Sequence, residues 1–425
     1  MTLIGHRTLR FAARQVRSLD PVLQRVEDPR HPSWVERPLH EVVNSLILGA
    51  VVNCPTLRDV EELTHDLGPW GRSVVTTPVS DTTMYTVAAR LGPEALRPLL
   101  IRQIHTLNRA RALVPLRTPI ALGVVDGKNL ATTGHDADGW GQAHHDPATG
   151  EVSHHLVRAL RCVLASAEAT PTIDQMPLEP HENDMSAGQR FVLRLIETWG
   201  RYRLFEALSF DAGFCSEQTA SAVDHSGTGY VFALKENQPE LLAEARRLLR
   251  PKLAAQSEAE TREYVKGHWL VRQVVRTSDI AGYHDWAHLR QAWLVLQTHV
   301  DAMGRVTKRE ERFFLTNLPP ARLDGKGVLA VVRAHWRIEN ESNWPLDVQW
   351  REDHGRWCTT GASSYVLGFI RLIACNLVQH LRLRHLRKPW DGDDWSPPPW
   401  RKLFRALEKA LTSDWLPVRN TTPGI

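Results

Sequence analysis

Asp126 in ALGVVDGK, Asp211 in ALSFDAGF and Glu339 in VVRAHWRIENESNW are the residues of this chain best suited to do chemistry. Each aspartate ends an apolar run that reads as a strand, and the glutamate sits in a helical pattern. Carboxylates on rigid elements supply the hard oxygen ligands that Mg2+ prefers, and they leave coordination positions open for phosphate. That combination implies phosphoryl transfer on nucleic acid. The three lie 85 and 128 positions apart, so distant segments must be brought together to assemble a site.

The elements that position them follow from periodicity. Residues 1–115 read as helices, among them PLHEVVNSLILGAVV and TLRDVEELTHDL, separated at Cys54-Pro55, and SDTTMYTVAARL with Ser80 or Asp81 as N-cap. From about residue 118 strands and helices alternate, which predicts an α/β core whose sheet contains parallel pairs, with Asp126 and Asp211 at strand ends. Between 255 and 320 bulky apolar and charged residues alternate, predicting an inserted antiparallel β subdomain. A helix capped by Asp324 then carries the chain to Glu339, a long helix begins near Ser363, and DGDDWSPPPW breaks regular structure before a last short helix. On this reading 1–115 is a helical N-terminal domain, 116–254 and 321–388 are the two parts of the core, 255–320 is the insertion, and 389–425 is a linker with its helix.

Composition narrows the function classes. The 425 residues carry a net charge of only +4, so a nucleic-acid surface must come from local clustering. Two clusters qualify: Arg7, Arg10, Arg14 and Arg17 on one helix face, and Arg382, Arg384, His385, Arg387 and Lys388 near the C-terminus. The five scattered cysteines form no CxxC pair, which argues against a disulfide framework or a structural zinc site and suits a reducing cytoplasm. No apolar run reaches the ~20 residues of a membrane helix, because YVLGFIRLIACNLV is interrupted by Arg371. A cytoplasmic protein with no membrane partner is expected.

Further candidates flank the carboxylates. Trp336, Glu339, Asn340 and Asn343 fall at i, i+3, i+4 and i+7, so one helix face carries an indole, a carboxylate and two amides. Lys235, Asn237 and Gln238 follow a strand, where an ammonium and two amides could meet a DNA backbone, or could simply shape the turn before Pro239. Lys128 and Arg356 are further candidate phosphate ligands. Trp269, Trp286 or Trp293 could stack a displaced base, although core packing is the commoner use of tryptophan. His144, His145, His154 and His155 do not match a zinc spacing.

The order of these motifs resembles that of the DDE transposases of bacterial insertion sequences, in the subgroup of the H-repeat-associated proteins. The resemblance rests on Asp126-Gly127-Lys128, Asp211-Ala212 with Gln218, Tyr230 to Lys235 with Asn237-Gln238, and His335-Trp336 through Asp353, and it spans roughly residues 20–385. It implies an RNase H-like mixed-sheet core, with Asp126, Asp211 and Glu339 as catalytic residues and ligands of two Mg2+ or Mn2+ ions, Asp126 bridging them. It also implies terminal inverted repeats and target DNA as partners, a homodimer on DNA, and association with the bacterial nucleoid. The chain departs from the wider group's Tyr-Arg-Glu-Lys signature, with Val332, His335 and Leu346 at the matching places, and Asn343 stands where the subgroup has a second histidine. Two rivals remain: a DNA-binding relative that no longer cuts, and an RNase H-like nuclease that only hydrolyses.

Overall fold

The computed structural model describes residues 4–413 apart from Asp285, Ala287, Thr359 and residues 389–394, so the DGDD of the expected linker lies outside the described residues. Seven helices precede the first strand: α1 (His6–Arg17), α2 (Asp20–Leu23), α3 (Leu39–Val52), α4 (Leu57–His65), α5 (Pro69–Arg72), α6 (Asp81–Arg90) and α7 (Arg97–Arg109). Local chemistry sets their ends. Asn53 closes α3 in a left-handed conformation (φ 66°), Thr56 and Asp59 cap each other at the start of α4, and the Ser80 hydroxyl accepts from the Thr83 N–H at the start of α6.

The core follows as β1 (Leu122–Thr133), β2 (Gln142–His145), β3 (Val152–Leu164), β4 (Thr172–Pro177), α8 (Asp184–Trp199), β5 (Ala207–Phe210), α9 (Glu217–His225), β6 (Gly229–Leu234) and α10 (Pro239–Ala255). Four more strands come next: β7 (Ala259–Val265), β8 (His268–Thr277), β9 (Gln291–Val300) and β10 (Val306–Thr316). The remaining helices are α11 (Gly325–His335), α12 (Trp344–Val348), α13 (Gly361–His380) and α14 (Trp400–Thr412). All ten strands join one sheet in the order β2-β3-β1-β5-β6-β10-β9-β8-β7, with β4 also paired to β3. β1 runs antiparallel to β3 and parallel to β5, and β5 runs parallel to β6, the mixed arrangement of an RNase H-like core. The β7–β10 meander is antiparallel, and its last strand pairs with β6 through Phe314 and Ala233, so it extends the core sheet directly.

α13 organises the interior. It is apolar all round and long enough, with the π-helical turn that follows it, to cross a membrane, but it lies between α3, α6 and α7 on one side and β1, β3 and β4 on the other. Polar pins fix its register: Gln103 donates to the Ile373 carbonyl at 2.8 Å, and the Asn376 amide accepts from the Thr172 N–H and donates to the Thr172 carbonyl, each at 2.9 Å. Further bonds tie the N-terminal helices to the end of the core. Trp350 donates its indole N–H to the Ala50 carbonyl at 2.7 Å, and Arg356 donates to Asn53 Oδ1 at 2.6 Å and the Pro55 carbonyl at 2.9 Å.

His380 stacks on Phe11 of α1 with ring centroids 5.2 Å apart and is buried. Burial, reinforced by His385 and Arg384, pushes its pKa down to about 3. The folded protein therefore excludes a proton that the unfolded chain takes up below about pH 6.5. Stability from this site is complete above pH 6.5 and is lost as pH falls toward 3. His380→Phe should flatten that loss, by about 1–2 kcal/mol at pH 5 relative to wild type. Melting curves between pH 7.5 and 5 check this, and parallel pH profiles for the two proteins would refute it.

Candidate active site

The parallel ladder between β1 and β5 ends at the pair Val125 and Phe210. The next residue on each strand is an aspartate, Asp126 and Asp211, so the two carboxylates emerge side by side from neighbouring strands. For Asp211 this is the C-terminal end of its strand, as expected. Asp126 differs from expectation: β1 continues to Thr133, because β3 pairs with it along nearly its whole length. Asp126 is therefore an inner strand position at the point where parallel pairing stops.

Each aspartate turns one oxygen back to the chain. Asp126 Oδ1 accepts from the Gly127 N–H at 2.8 Å, and Asp211 Oδ1 accepts from the Ala212 N–H at 2.6 Å. Glu339 is brought to the site by the chain that follows α11. His335, at the end of α11, is hydrogen-bonded through Nδ1 to Ser209 on β5 at 2.9 Å, which fastens the helix to the strand bearing Asp211. The chain then widens into a π-helical turn, Ile338–Asn343, with Glu339 near its start. Such turns are frequent at functional sites.

The turn changes the helix face expected from spacing. Trp336, Glu339 and Asn340 are exposed, whereas Asn343 is buried and its amide nitrogen lies 3.5 Å from Asp126 Oδ2. Its amide oxygen is buried with no hydrogen-bond partner.

Electrostatics ties the carboxylates together. Burial pushes the Asp126 carboxyl up to about 7, and the charges of Glu339, Asp211 and Asp184 add to the shift against the Gly127 hydrogen bond. Glu339 is also raised, first by burial and then by Asp211, with Arg312 opposing. Among the described residues no three His, Cys, Asp or Glu side chains enclose an ion as they stand. The residues nevertheless fit a divalent cation by donor chemistry. Three mutually repelling carboxylates and an orphaned amide oxygen are all hard oxygen donors, and Lys235 at Asp211 and Arg312 at Glu339 compensate the repulsion only in part.

The other expected site residues divide. Lys235 is exposed, with Nζ 3.7 Å from Asp211 Oδ1, and it borders the site. Lys128 is not free to meet phosphate: it is buried in an ion pair with Asp347. Asn237 and Gln238 are spent on the turn, donating to the Ala212 carbonyl at 2.8 Å and the Cys215 carbonyl at 2.9 Å, and so brace the loop after Asp211. Arg356 is occupied by Asn53 and Pro55. Trp286 and Trp293 are core residues, and Trp269 is exposed on the β7–β8 hairpin beside Tyr264. His144 and His154 pair across β2 and β3 as stacked rings.

Two residues that sequence reading missed belong to the site. Asp184, first residue of α8, contributes a fourth negative charge near Asp126 and is held by Arg158 at 2.7 Å. A Cβ on Gly127 would lie 3.0 Å from both Asp184 carboxylate oxygens, so Asp184 packs close against the backbone that follows Asp126. Arg312 on β10 lies over the Trp336 ring at 4.8 Å, beside Glu339. Val332, His335 and Leu346 are buried, so the site's cations come instead from Lys235 and Arg312. From Trp336 and Asn340 a cleft of about 720 Å³ runs between α11 and the extension strands. Its walls carry Arg117, Arg272, Arg312, Lys326, Arg333 and Arg337 against Glu263 and Glu341.

Comparison with known proteins places the chain in a family. Residues 117–377 match the family described as "Transposase DDE domain". The chain is 21% identical over 369 residues to "Putative protein YbfL" of Escherichia coli (strain K12), covering 83% of this chain and 88% of the relative. It is 20% identical over 379 residues to "Putative transposase YncI" of Escherichia coli O157:H7, covering 86% and 88%. "H repeat-associated putative transposase YhhI" of strain K12 is 21% identical over 369 residues, covering 83% and 88%.

Proposed function

Because this chain belongs to the Transposase DDE domain family, we propose that it cuts DNA at the ends of an insertion sequence and joins those ends to target DNA. The observation that carries this reading is the register of β1 and β5, which sets Asp126 beside Asp211 while Glu339 reaches the same electrostatic neighbourhood. Asp126, Asp211 and Glu339 would hold two Mg2+ or Mn2+ ions. Bound divalent cations supply Lewis acidity toward the phosphate and lower the pKa of an attacking water.

The protein's own contribution is placement. Lys235 brings a positive charge beside Asp211, where a non-bridging phosphate oxygen gains from it. Trp336 and Asn340 offer an indole face and an amide to the DNA flanking the reacting phosphate, and the cationic cleft beyond them attracts the phosphodiester backbone. In the first step water attacks the phosphorus and the bond to the 3′ oxygen breaks, leaving a 3′ hydroxyl and a 5′ phosphate. In the second, that hydroxyl attacks a target phosphodiester and displaces its 3′ oxygen, so bond count is conserved and no covalent protein intermediate forms. Terminal inverted repeats, a homodimer on DNA and a cytoplasmic, nucleoid-associated location complete the reading.

Purified protein incubated with DNA carrying the element's own ends and a target plasmid tests it. Joined donor–target products that require Mg2+ and vanish in EDTA are expected. Nicks without joints would identify a nuclease that only hydrolyses, and binding with no cleavage would identify a relative that has lost catalysis.

A further inference from the structure

The first and last described helices meet. α1 and α14 both line one small apolar gap, through Leu9, Ala12, Ala13 and Val16 of the first helix and Leu407 and Leu411 of the second. Each helix is amphipathic and uses its apolar face on the core: Leu9, Val16, Leu403 and Leu407 are buried. What remains outside is almost wholly cationic. Arg7, Arg10, Arg14 and Arg17 are exposed along α1, and Arg401, Lys402, Arg405 and Lys409 are exposed along α14, with Glu408 the one acid on either helix. Among the described residues, no ion pair or hydrogen bond engages any of these eight side chains.

That freedom sets them apart from the other C-terminal basic cluster. Arg382 donates to the Pro398 carbonyl at 2.9 Å and lies over the Trp400 ring, while Arg384 donates to the Ala112 carbonyl at 3.1 Å and pairs with Glu168. Those cations hold the structure together. The eight on α1 and α14 have no such task.

We propose that α1 and α14 form one composite platform for the phosphate backbone of duplex DNA, so that the last helix contributes to DNA affinity as much as the first. Each helix is about 18–20 Å long, so its cations span several phosphates of one groove edge. With their apolar faces occupied, the helices present charge alone, which suits sequence-independent backbone contact rather than insertion into a lipid surface. This deepens the DNA-processing role proposed above and rests on it.

The test uses the full chain and a fluorescent 40-base-pair duplex, in EDTA, by anisotropy across a salt series. Arg10→Glu/Arg14→Glu on α1 and Arg405→Glu/Lys409→Glu on α14 are compared singly and combined, with circular dichroism to verify the fold and Arg→Gln and Lys→Gln versions as a milder control. Each pair should weaken binding by about tenfold or more at 100 mM salt, and the combined variant should lower the slope of log affinity against log salt by about 3–4, close to 0.9 for each lost phosphate contact. Loss confined to the α1 pair would overturn the composite platform. Wild-type affinity in every variant would overturn the surface altogether while leaving the proposed function standing. Failure of the wild-type protein to bind any duplex would overturn that function as well. Stronger competition by phosphatidylserine vesicles than by unlabelled duplex would replace DNA with a membrane as partner, and so overturn the proposal.

Discussion

Asp126→Asn, Asp211→Asn and Glu339→Gln proteins will bind the element's ends like wild type and lose end cleavage by at least about a thousandfold. Each substitution keeps the side chain's shape and removes one anionic oxygen from the set that would hold divalent ions. Asp126 makes the sharpest case, because its environment penalises its charge twice, through burial and through Glu339, Asp211 and Asp184. The asparagine variant should thus be more stable than wild type when no divalent ion is present, and the difference should shrink when Mg2+ is added. A more stable but inactive protein is hard to attribute to misfolding. Single-turnover cleavage alongside melting curves with and without Mg2+ makes the measurement, and strand transfer by the Asp126→Asn protein would remove the carboxylates from the mechanism.

The largest effect on stability is expected at Arg161 and Glu352. Both side chains are completely buried, and Arg161 donates to the two Glu352 oxygens at 2.7 and 2.9 Å and to Gln175 Oε1. Burial pushes the Glu352 carboxyl up, but the charge and hydrogen bonds of Arg161 outweigh it and hold the group below the usual range. Arg161 is also the register partner of Asp126 across β1 and β3. The pair therefore joins the strand bearing Asp126 to the chain beyond Glu339. Glu352→Ala should cost about 3–5 kcal/mol, because a buried guanidinium loses its counter-charge. Arg161→Met combined with Glu352→Leu should cost less than Glu352→Ala alone. Denaturant titrations decide this, and a double variant as unstable as the sum of the singles would show that the two residues act independently.

Much of the architecture was legible because it rests on local signals. Ser80 and Asp324 cap their helices as their positions suggested, and the meander of bulky and charged residues in 255–320 is antiparallel sheet. The long helix read as starting near Ser363 starts at Gly361, because Thr360 and Ser363 form its capping box. What could not be read was set by pairing at long range. GKNLATT lacks the bulky residues of a strand, yet it continues β1 because β3 lies alongside it. Lys128 looks like a free cation until Asp347, 219 positions later, folds back onto it. The helical spacing that placed Trp336, Glu339, Asn340 and Asn343 together assumed 3.6 residues per turn, and the π turn sends Asn343 inward to Asp126 instead. Asp184 carried no signal of its own, because nothing local connects it to Gly127.

The position of α13 has a consequence for how the protein is made. α3 lies near the start of the chain, and its main helical neighbour is α13, some 300 residues later. On the ribosome, where synthesis advances at roughly 5–20 residues per second, the apolar surface of α3 waits on the order of 15–60 s for its cover. A chain cut short before residue 361 would yield helices and a β1 strand that cannot close over one another. Closure over α3 and the strand bearing Asp126 therefore waits until α13 has been made, and a chain that lacks it leaves that apolar surface open.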